Sequence, residues 1–531
     1  MWHDLFLISP LVIVTVVGLV ALLAAVFTSK GSFKGWLGNL TTVGFALAAI
    51  AALFLYGKTP ESLAFETDVF RYALAIDHFG LGLSVVILIG AALMSLATVH
   101  YLPSQKSDHG EFYGLVAFAS VGMMALVMAN DLLTFFVALE LMSLAVYVLA
   151  GFKRQSVFST ESATKYFVLG SFASGLLLLG IGFAYGATGT LSLPGLMTEL
   201  PVALAKTPEL VRFALVLIIG AFFFKVAAAP FHMWTPDVYE GAPATAAGFM
   251  AIAVKTAAFG GFARLLLTGF GAPELKDEGL SWELLLVVGA VASMVIGNLM
   301  ALGQKNLKRM LAYSAIAHTG YLMVALLVIP KGSAAALAGL GGGLVFYLLA
   351  YTLANASAFG VAAAISGNDT EDVGEEAYAG LAKRSPGHAL VLAIAMLSLL
   401  GIPLTAGFMG KLTIFEEVLT SRSDYLWLVI VAVVNSVISA WYYLRVILVA
   451  YMREESTERP IALIESRPLS LSLGLAALAT LVIGILPTSA MTFSKTAGES
   501  LAGSASRSAP HKTTTAPAGE TGPTVADPTP R

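Results

Sequence analysis

Apolar runs long enough to cross a bilayer follow one another along almost the whole chain, and they leave little choice of fold. A helix needs roughly 20 mostly apolar residues to span the hydrocarbon core. Lipid offers the backbone no hydrogen-bond partner, so only helices and closed barrels cross it. Sorted on that criterion, the 531-residue sequence holds about fourteen candidate spans. They fall near 5–28, 36–56, 78–101, 112–129, 131–152, 163–186, 210–241, 243–268, 281–303, 308–329, 334–366, 388–420, 424–450 and 468–490. The fold class is therefore an all-α polytopic membrane protein.

Composition agrees. The chain is 57% hydrophobic and 12% charged, against about 25% charged for an ordinary soluble domain. Thirty basic and 33 acidic residues leave no basic stripe for nucleic acid. The sequence has no cysteine, which removes disulfides, thiolate metal sites and iron–sulfur clusters from this chain. No nucleotide fingerprint stands in a βαβ setting, so no cofactor and no metal are expected here. The start, Met1-Trp2-His3-Asp4, has no basic region before the first apolar run. That run reads as a retained helix rather than a cleaved signal.

Lys and Arg in short loops set orientation. Loops after odd-numbered spans hold Lys30, Lys34, Lys106, Lys153, Arg154, Lys305, Lys308, Arg309, Lys383, Arg384, Arg453, Arg459 and Arg467. Loops after even-numbered spans hold Lys58, Arg71, Lys206, Lys276, Lys331 and Arg422. The richer side reads as cytoplasmic, with both termini periplasmic in a bacterial inner membrane. From residue 494 to Arg531 the chain turns rich in Ala, Thr, Pro, Gly and Ser and reads as a disordered polar tail.

Ionisable groups at membrane depth are expensive and so point to function. Glu140, Lys225, Lys255 and Lys411 each sit inside an apolar run. Structural ion pairs are the plain alternative, but three lysines against one clearly buried glutamate leave two without a carboxylate. An unpaired ammonium in a low dielectric gives up its proton readily, as a proton relay requires. His232 and His318 lie within or beside spans. They are candidate intermediates, although a satisfied core histidine is the commoner case.

Two spans are interrupted. The seventh runs apolar to Ala229 and then meets Pro230, Pro236, Gly241 and Pro243. The twelfth meets Gly401-Ile402-Pro403. Proline removes a donor and clashes with the preceding turn, and irregular backbone at this depth must line protein or a watery cavity. Each break has a lysine nearby, Lys225 and Lys411. Five spans separate the breaks, and an odd repeat reverses orientation, so two inverted five-helix repeats are expected around two discontinuous helices. The expected division is 1–111, 112–268, 281–452, 453–493 and the tail 494–531.

The run Pro230-Phe231-His232-Met233-Trp234-Thr235-Pro236-Asp237-Val238-Tyr239-Glu240-Gly241-Ala242-Pro243 resembles the proton-translocating module of the antiporter-like subunits of respiratory complex I and of multi-subunit cation/proton antiporters. Its Thr-Pro-Asp-Val-Tyr form is similar to the subunit N branch. Three further stretches fit: Asn130-Asp131 leading to Glu140, Asn306-Leu307-Lys308-Arg309-Met310-Leu311-Ala312-Tyr313-Ser314 leading to His318, and Gly401-Ile402-Pro403 leading to Lys411. The resemblance covers roughly residues 5–490. It implies fourteen helices, with four to eight and nine to thirteen forming two inverted half-channels, a Glu140–Lys225 pair, and a central axis through Lys255, His318 and Lys411, with His232 within the broken-helix motif.

The resemblance also implies neighbouring antiporter-like and small membrane subunits as partners. Flavin mononucleotide, iron–sulfur clusters and quinone would belong to other chains. In the expected switch, Glu140 holds the Lys225 proton until it is drawn away, and the proton then passes by Lys255 and His318 to Lys411. The rival readings are a subunit of a stand-alone sodium/proton antiporter, a non-transporting scaffold, and the equivalent subunit of a complex with another electron donor.

Overall fold

The computed structural model describes residues 2–29, 32–272, 275, 281–328, 342–367, 373–455 and 463–508. Lys30, Lys276, Lys331 and Arg459, counted above for orientation, lie outside the described residues, as does the tail from 509 to 531.

The described chain is helical almost throughout, with two isolated β-bridges, Leu74 with Ala129 and Asp131 with Ser192. Among the described residues eleven helices are long and apolar enough to cross a membrane, against the fourteen spans expected from the sequence. In chain order the principal helices are α1 (Ser9–Phe27), α2 (Gly35–Tyr56), α3 (His78–Ser104), α4 (Glu111–Met128), α5 (Leu132–Ala150) and α6 (Val157–Thr188). Next come the halves of the first interrupted segment, α7 (Pro208–Lys225) and α8 (Trp234–Gly241), and then α9 (Ala244–Gly269). They are followed by α10 (Trp282–Leu302), α11 (Leu307–Leu326) and α12 (Gly342–Ile365). The second interrupted segment gives α13 (Pro386–Leu400) and α14 (Ala406–Ser421). The chain continues with α15 (Leu426–Met452), α16 (Arg467–Ile485) and α17 (Thr488–Ser508).

Helices α9 and α12 are buried over their whole length and form the middle of the molecule. Outer helices carry one apolar face outward, as α1 does with Val12, Val16, Leu19, Val20 and Leu23. Such a continuous exposed apolar surface suits lipid and not water. Small polar caps start several helices. Asp131 accepts from the amides of Leu133 (2.8 Å) and Thr134 (2.9 Å), and Asn306 accepts from Arg309 N (3.2 Å). The Asn130-Asp131 and Asn306 motifs therefore have a local role, satisfying helix-end donors that lipid could not satisfy.

The expectation of disorder from residue 494 is corrected. Helix α17 runs to Ser508 and packs on α3 and α12. Ala497 and Leu501, one turn apart, are fully buried. Tyr56 Oη donates to Phe493 O (2.5 Å), and the His78 amide donates to Ser500 Oγ (3.2 Å). At the other end of the chain Asp4 accepts from Glu66 N (2.8 Å) and Thr67 Oγ1 (2.7 Å). The short helix Trp2–Leu7, through Asp4, and α17, through Phe493 and Ser500, thus both meet the stretch from Tyr56 to His78 and lie on one face of the molecule.

Candidate functional site: a buried lysine–histidine axis

The two breaks are built alike. At the end of α7 the Ala227 amide donates to Phe224 O (3.1 Å) and the Ala228 amide to Phe223 O (2.7 Å). At the end of α13 the Gly401 amide donates to Ser398 O (3.1 Å) and the Ile402 amide to Leu397 O (3.0 Å). This is the same left-handed cap twice, with φ +60° at Ala227 and +90° at Gly401. The chain then needs several irregular residues before it can restart as α8 or α14. Each break is held by polar side chains: Ser293 Oγ accepts from Ala229 N (2.9 Å), and Ser398 Oγ accepts from Gly407 N (3.1 Å).

The two signature motifs meet in space. Arg309 Nη1 bonds both Asp237 Oδ1 (2.9 Å) and Glu240 Oε2 (2.7 Å), and Lys165 Nζ holds the other Asp237 oxygen (2.8 Å). Fully buried Lys308 donates to Ala242 O (2.9 Å). Charge on the start of α11 thereby pins α8 in place. Lys308, counted from the sequence as a loop charge, is in fact an interior one.

The three lysines singled out from the sequence share one environment. Lys225 donates to Ser143 Oγ (2.9 Å) and Tyr147 Oη (3.2 Å), with the Tyr147 ring centroid 5.6 Å from Nζ. Lys255 donates to Ala315 O (2.6 Å) and Thr319 Oγ1 (2.7 Å), with the Tyr351 ring at 5.6 Å. Lys411 donates to Leu400 O (2.7 Å) and Ser436 Oγ (2.8 Å), with the Tyr321 ring at 4.9 Å. All three are buried, at 7%, 4% and 7% relative exposure. Each ammonium thus has two neutral oxygen acceptors and an aromatic face, and among the described residues no carboxylate pairs with it.

The structure differs from the expected Glu140–Lys225 pair. Half-buried Glu140 accepts from Ser174 Oγ on α6, while Lys225 is bonded to Ser143 and Tyr147 on α5. Among the described residues no ion pair joins the two. Glu140, Ser143 and Tyr147 follow at i, i+3 and i+7, so they share one face of α5. Tyr147 and Ser143 stand on that face where a direct contact was expected.

His318 sits at the centre of the remaining residues. Its Nδ1 lies 2.6 Å from Tyr347 Oη and its Nε2 3.0 Å from Tyr443 Oη, which in turn lies 2.5 Å from Ser314 Oγ. Thr319, the next residue, accepts from Lys255 and donates to Val226 O (2.6 Å) at the first break. Hydrogen bonds therefore tie Val226 O at the first break through Thr319, on the same helix that carries His318, to Lys255. Tyr321, on the same helix, lies under Lys411. A π-helical turn, Met250–Val254, immediately precedes Lys255; such single wide turns are frequent at functional sites.

His232 does not join this axis. It lies in the linker between α7 and α8, beside exposed Phe231 and Met233, and its Nδ1 has no partner among the described residues. Sequence reasoning missed Thr319, Tyr347, Tyr443, Ser143 and Tyr147, because hydroxyls in apolar runs carry no charge signal. It also missed Arg264. This buried arginine donates to Val127 O (2.7 Å) and pairs with Asp77 at 2.7 Å. Its charge inside the 243–268 span was the available clue.

Residues 129–439 match the family described as NADH:quinone oxidoreductase/Mrp antiporter, TM. NADH-quinone oxidoreductase subunit N 1 of Sorangium cellulosum is 40% identical over 496 residues, 91% of this chain and 96% of that protein. Subunit N of Myxococcus xanthus is 38% identical over 510 residues, 91% of this chain and 95% of that protein. A chain of respiratory complex I from Thermus thermophilus, solved with bound aureothin, matches with a TM-score of 0.73 and 34% identity, over 91% of this chain and 98% of that one. A chain of the Mrp complex from a Dietzia species matches with a TM-score of 0.78 at 20% identity, over 94% and 98% of the two chains, a likeness of fold alone. The chain belongs to the NADH:quinone oxidoreductase/Mrp antiporter transmembrane family, on its NADH-quinone oxidoreductase subunit N branch.

Proposed function

We propose that this chain carries protons across a bacterial inner membrane as a non-redox subunit of an NADH–quinone oxidoreductase. The observation that carries the reading is the repeated shell of Lys225, Lys255 and Lys411, each ammonium held by two neutral oxygens and an aromatic face. A lysine so placed changes protonation when its surroundings change slightly. His318, between two tyrosine hydroxyls, passes a proton by accepting at one nitrogen and releasing at the other.

In this mechanism Glu140 acts through its helix. When it swings from Ser174 toward Ser143 and Tyr147, the Lys225 ammonium is stabilised. When it returns, the proton moves by Thr319 to Lys255, then by His318 to Lys411 and out on the side that carries α17, taken as periplasmic. The shared cap at the two breaks supports two related half-channels in inverted orientation. Electron transfer is assigned to partner chains holding flavin, iron–sulfur clusters and quinone, since this chain has no cysteine. Neighbouring antiporter-like and small membrane subunits would flank it.

The test is proton translocation per NADH oxidised in vesicles containing the assembled complex. Lys225→Ala and Glu140→Ala should each reduce pumping while the complex persists. Normal pumping by both variants sinks the relay. Purification of this chain with membrane subunits alone, without redox activity, would instead favour the stand-alone antiporter.

A further inference from the structure

Beyond Lys411 the proposed path has no assigned release group, and one carboxylate stands where it is needed. Glu417 lies six residues further along α14, about 9 Å toward the face that carries α17 at the helical rise per residue. Its Oε1 accepts from Gly343 N at 2.7 Å, near the start of α12. Its Oε2 is buried and has no partner among the described residues. Gly343 leaves room for this carboxylate, because a Cβ there would stand 2.6 Å from Oε2.

The group borders open space. Glu417 borders an open cleft of about 490 Å³, lined by Gly342, Gly343, Phe346, Glu416, Glu417 and Ser494, among others. Ser494 Oγ, from α17, is likewise buried without a partner among the described residues. Two unsatisfied oxygens beside a cavity of that size are what bound water would satisfy. The other end connects to the axis. Tyr347, one turn from Gly343 on α12, has its ring 2.9 Å from where a Cβ on Gly410 would stand, and its hydroxyl meets His318 Nδ1 at 2.6 Å. Gly410 directly precedes Lys411.

We infer that Glu417 is the release group of the path, taking the proton from the Lys411 and Tyr347 end and delivering it to water in the cleft between α12, α14 and α17. An N–H bond at Lys411 breaks and an O–H bond forms on Glu417 Oε2 through intervening water. The carboxyl then gives the same proton to the cleft, and the lysine is recharged from His318. The plain alternative is that Glu417 only anchors the start of α12, as a carboxylate near a helix N-terminus does. A glutamine keeps that anchor, since its amide oxygen still accepts from Gly343, but it cannot carry the proton.

The inference rests on the relay reading, and the test separates the two. Proton translocation per NADH oxidised is compared for the wild type, Glu417→Gln, Glu417→Asp and Lys411→Ala in vesicles holding equal amounts of the assembled complex. Glu417→Gln should lose as much pumping as Lys411→Ala, and Glu417→Asp should restore part of it. Wild-type pumping by Glu417→Gln beside a defective Lys411→Ala overturns the role of Glu417 and leaves the relay standing. Wild-type pumping by both overturns the relay and this inference with it. If Glu417→Gln does not assemble, Gly343→Ala decides, because its Cβ displaces the carboxylate without removing it. Reduced pumping then supports the release role, and unchanged pumping overturns it.

Discussion

Lys411 Nζ donates to the carbonyl of Leu400 at 2.7 Å, reaching back across the second break to the end of the preceding half-helix. The break leaves that carbonyl without its intrahelical donor, and the lysine supplies one. Disruption of the helix and placement of the charge are one structural fact, since an unbroken helix would have used Leu400 O itself.

Gly401→Ala should therefore damage the site and the fold together. The position has φ +90°, and an added Cβ would lie 3.1 Å from Lys411 Cδ. A side chain in the left-handed region costs roughly 1–2 kcal/mol. Thermal unfolding in detergent should fall accordingly, with pumping reduced further than stability alone explains. Unchanged pumping would show that Lys411 tolerates displacement.

Ala227→Gly predicts the opposite sign. Ala227 occupies the corresponding cap position at φ +60° without glycine's freedom. Relief of the left-handed strain should stabilise the protein by about 1 kcal/mol, partly offset by the looser unfolded chain. A higher midpoint in the same unfolding assay checks it, and a lower one contradicts the account of the cap.

Tyr347→Phe and Tyr443→Phe test the centre of the axis. Each keeps the buried ring and removes the hydroxyl facing His318. Losing a buried hydrogen-bond partner should cost about 1–3 kcal/mol, too little to prevent assembly. Pumping per NADH should nevertheless drop in both variants. Full pumping in both would route the proton around His318.

Asp77→Ala addresses packing rather than transport. Asp77 caps α3 by accepting from Gly80 N (2.8 Å), and it pairs with buried Arg264 at 2.7 Å. Removing the carboxylate leaves a buried guanidinium uncompensated, which costs about 3–5 kcal/mol. The amount of folded protein recovered from membranes should fall sharply, more than for Asp68→Ala, whose partner Arg71 is exposed. Equal yields would show that Arg264 finds another acceptor.

Much of this was legible in the linear chain. Apolar runs are local sums, so eleven of the fourteen spans, the interrupted segments at Pro230 and Pro403, and the lysines inside them could be read directly. Proline and membrane-depth charge act wherever the chain folds. Helix α17 was misread because its composition is polar overall. Only the spacing of Phe493, Ala497 and Leu501 reveals the stripe that α3 and α12 cover.

What the sequence could not determine is which side chains meet. Hydroxyls such as Thr319, Tyr347 and Tyr443 look like ordinary members of apolar helices until packing turns them toward Lys255 and His318. Lys308 reads as a loop charge until α8 folds over it and offers the Ala242 carbonyl. Glu140 and Lys225 are both at membrane depth, yet the rotation of α5 against α6 aims the carboxylate at Ser174. Spans and breaks follow from solvent preference, residue by residue. The polar path follows from helix rotation and contact, which only the tertiary structure decides.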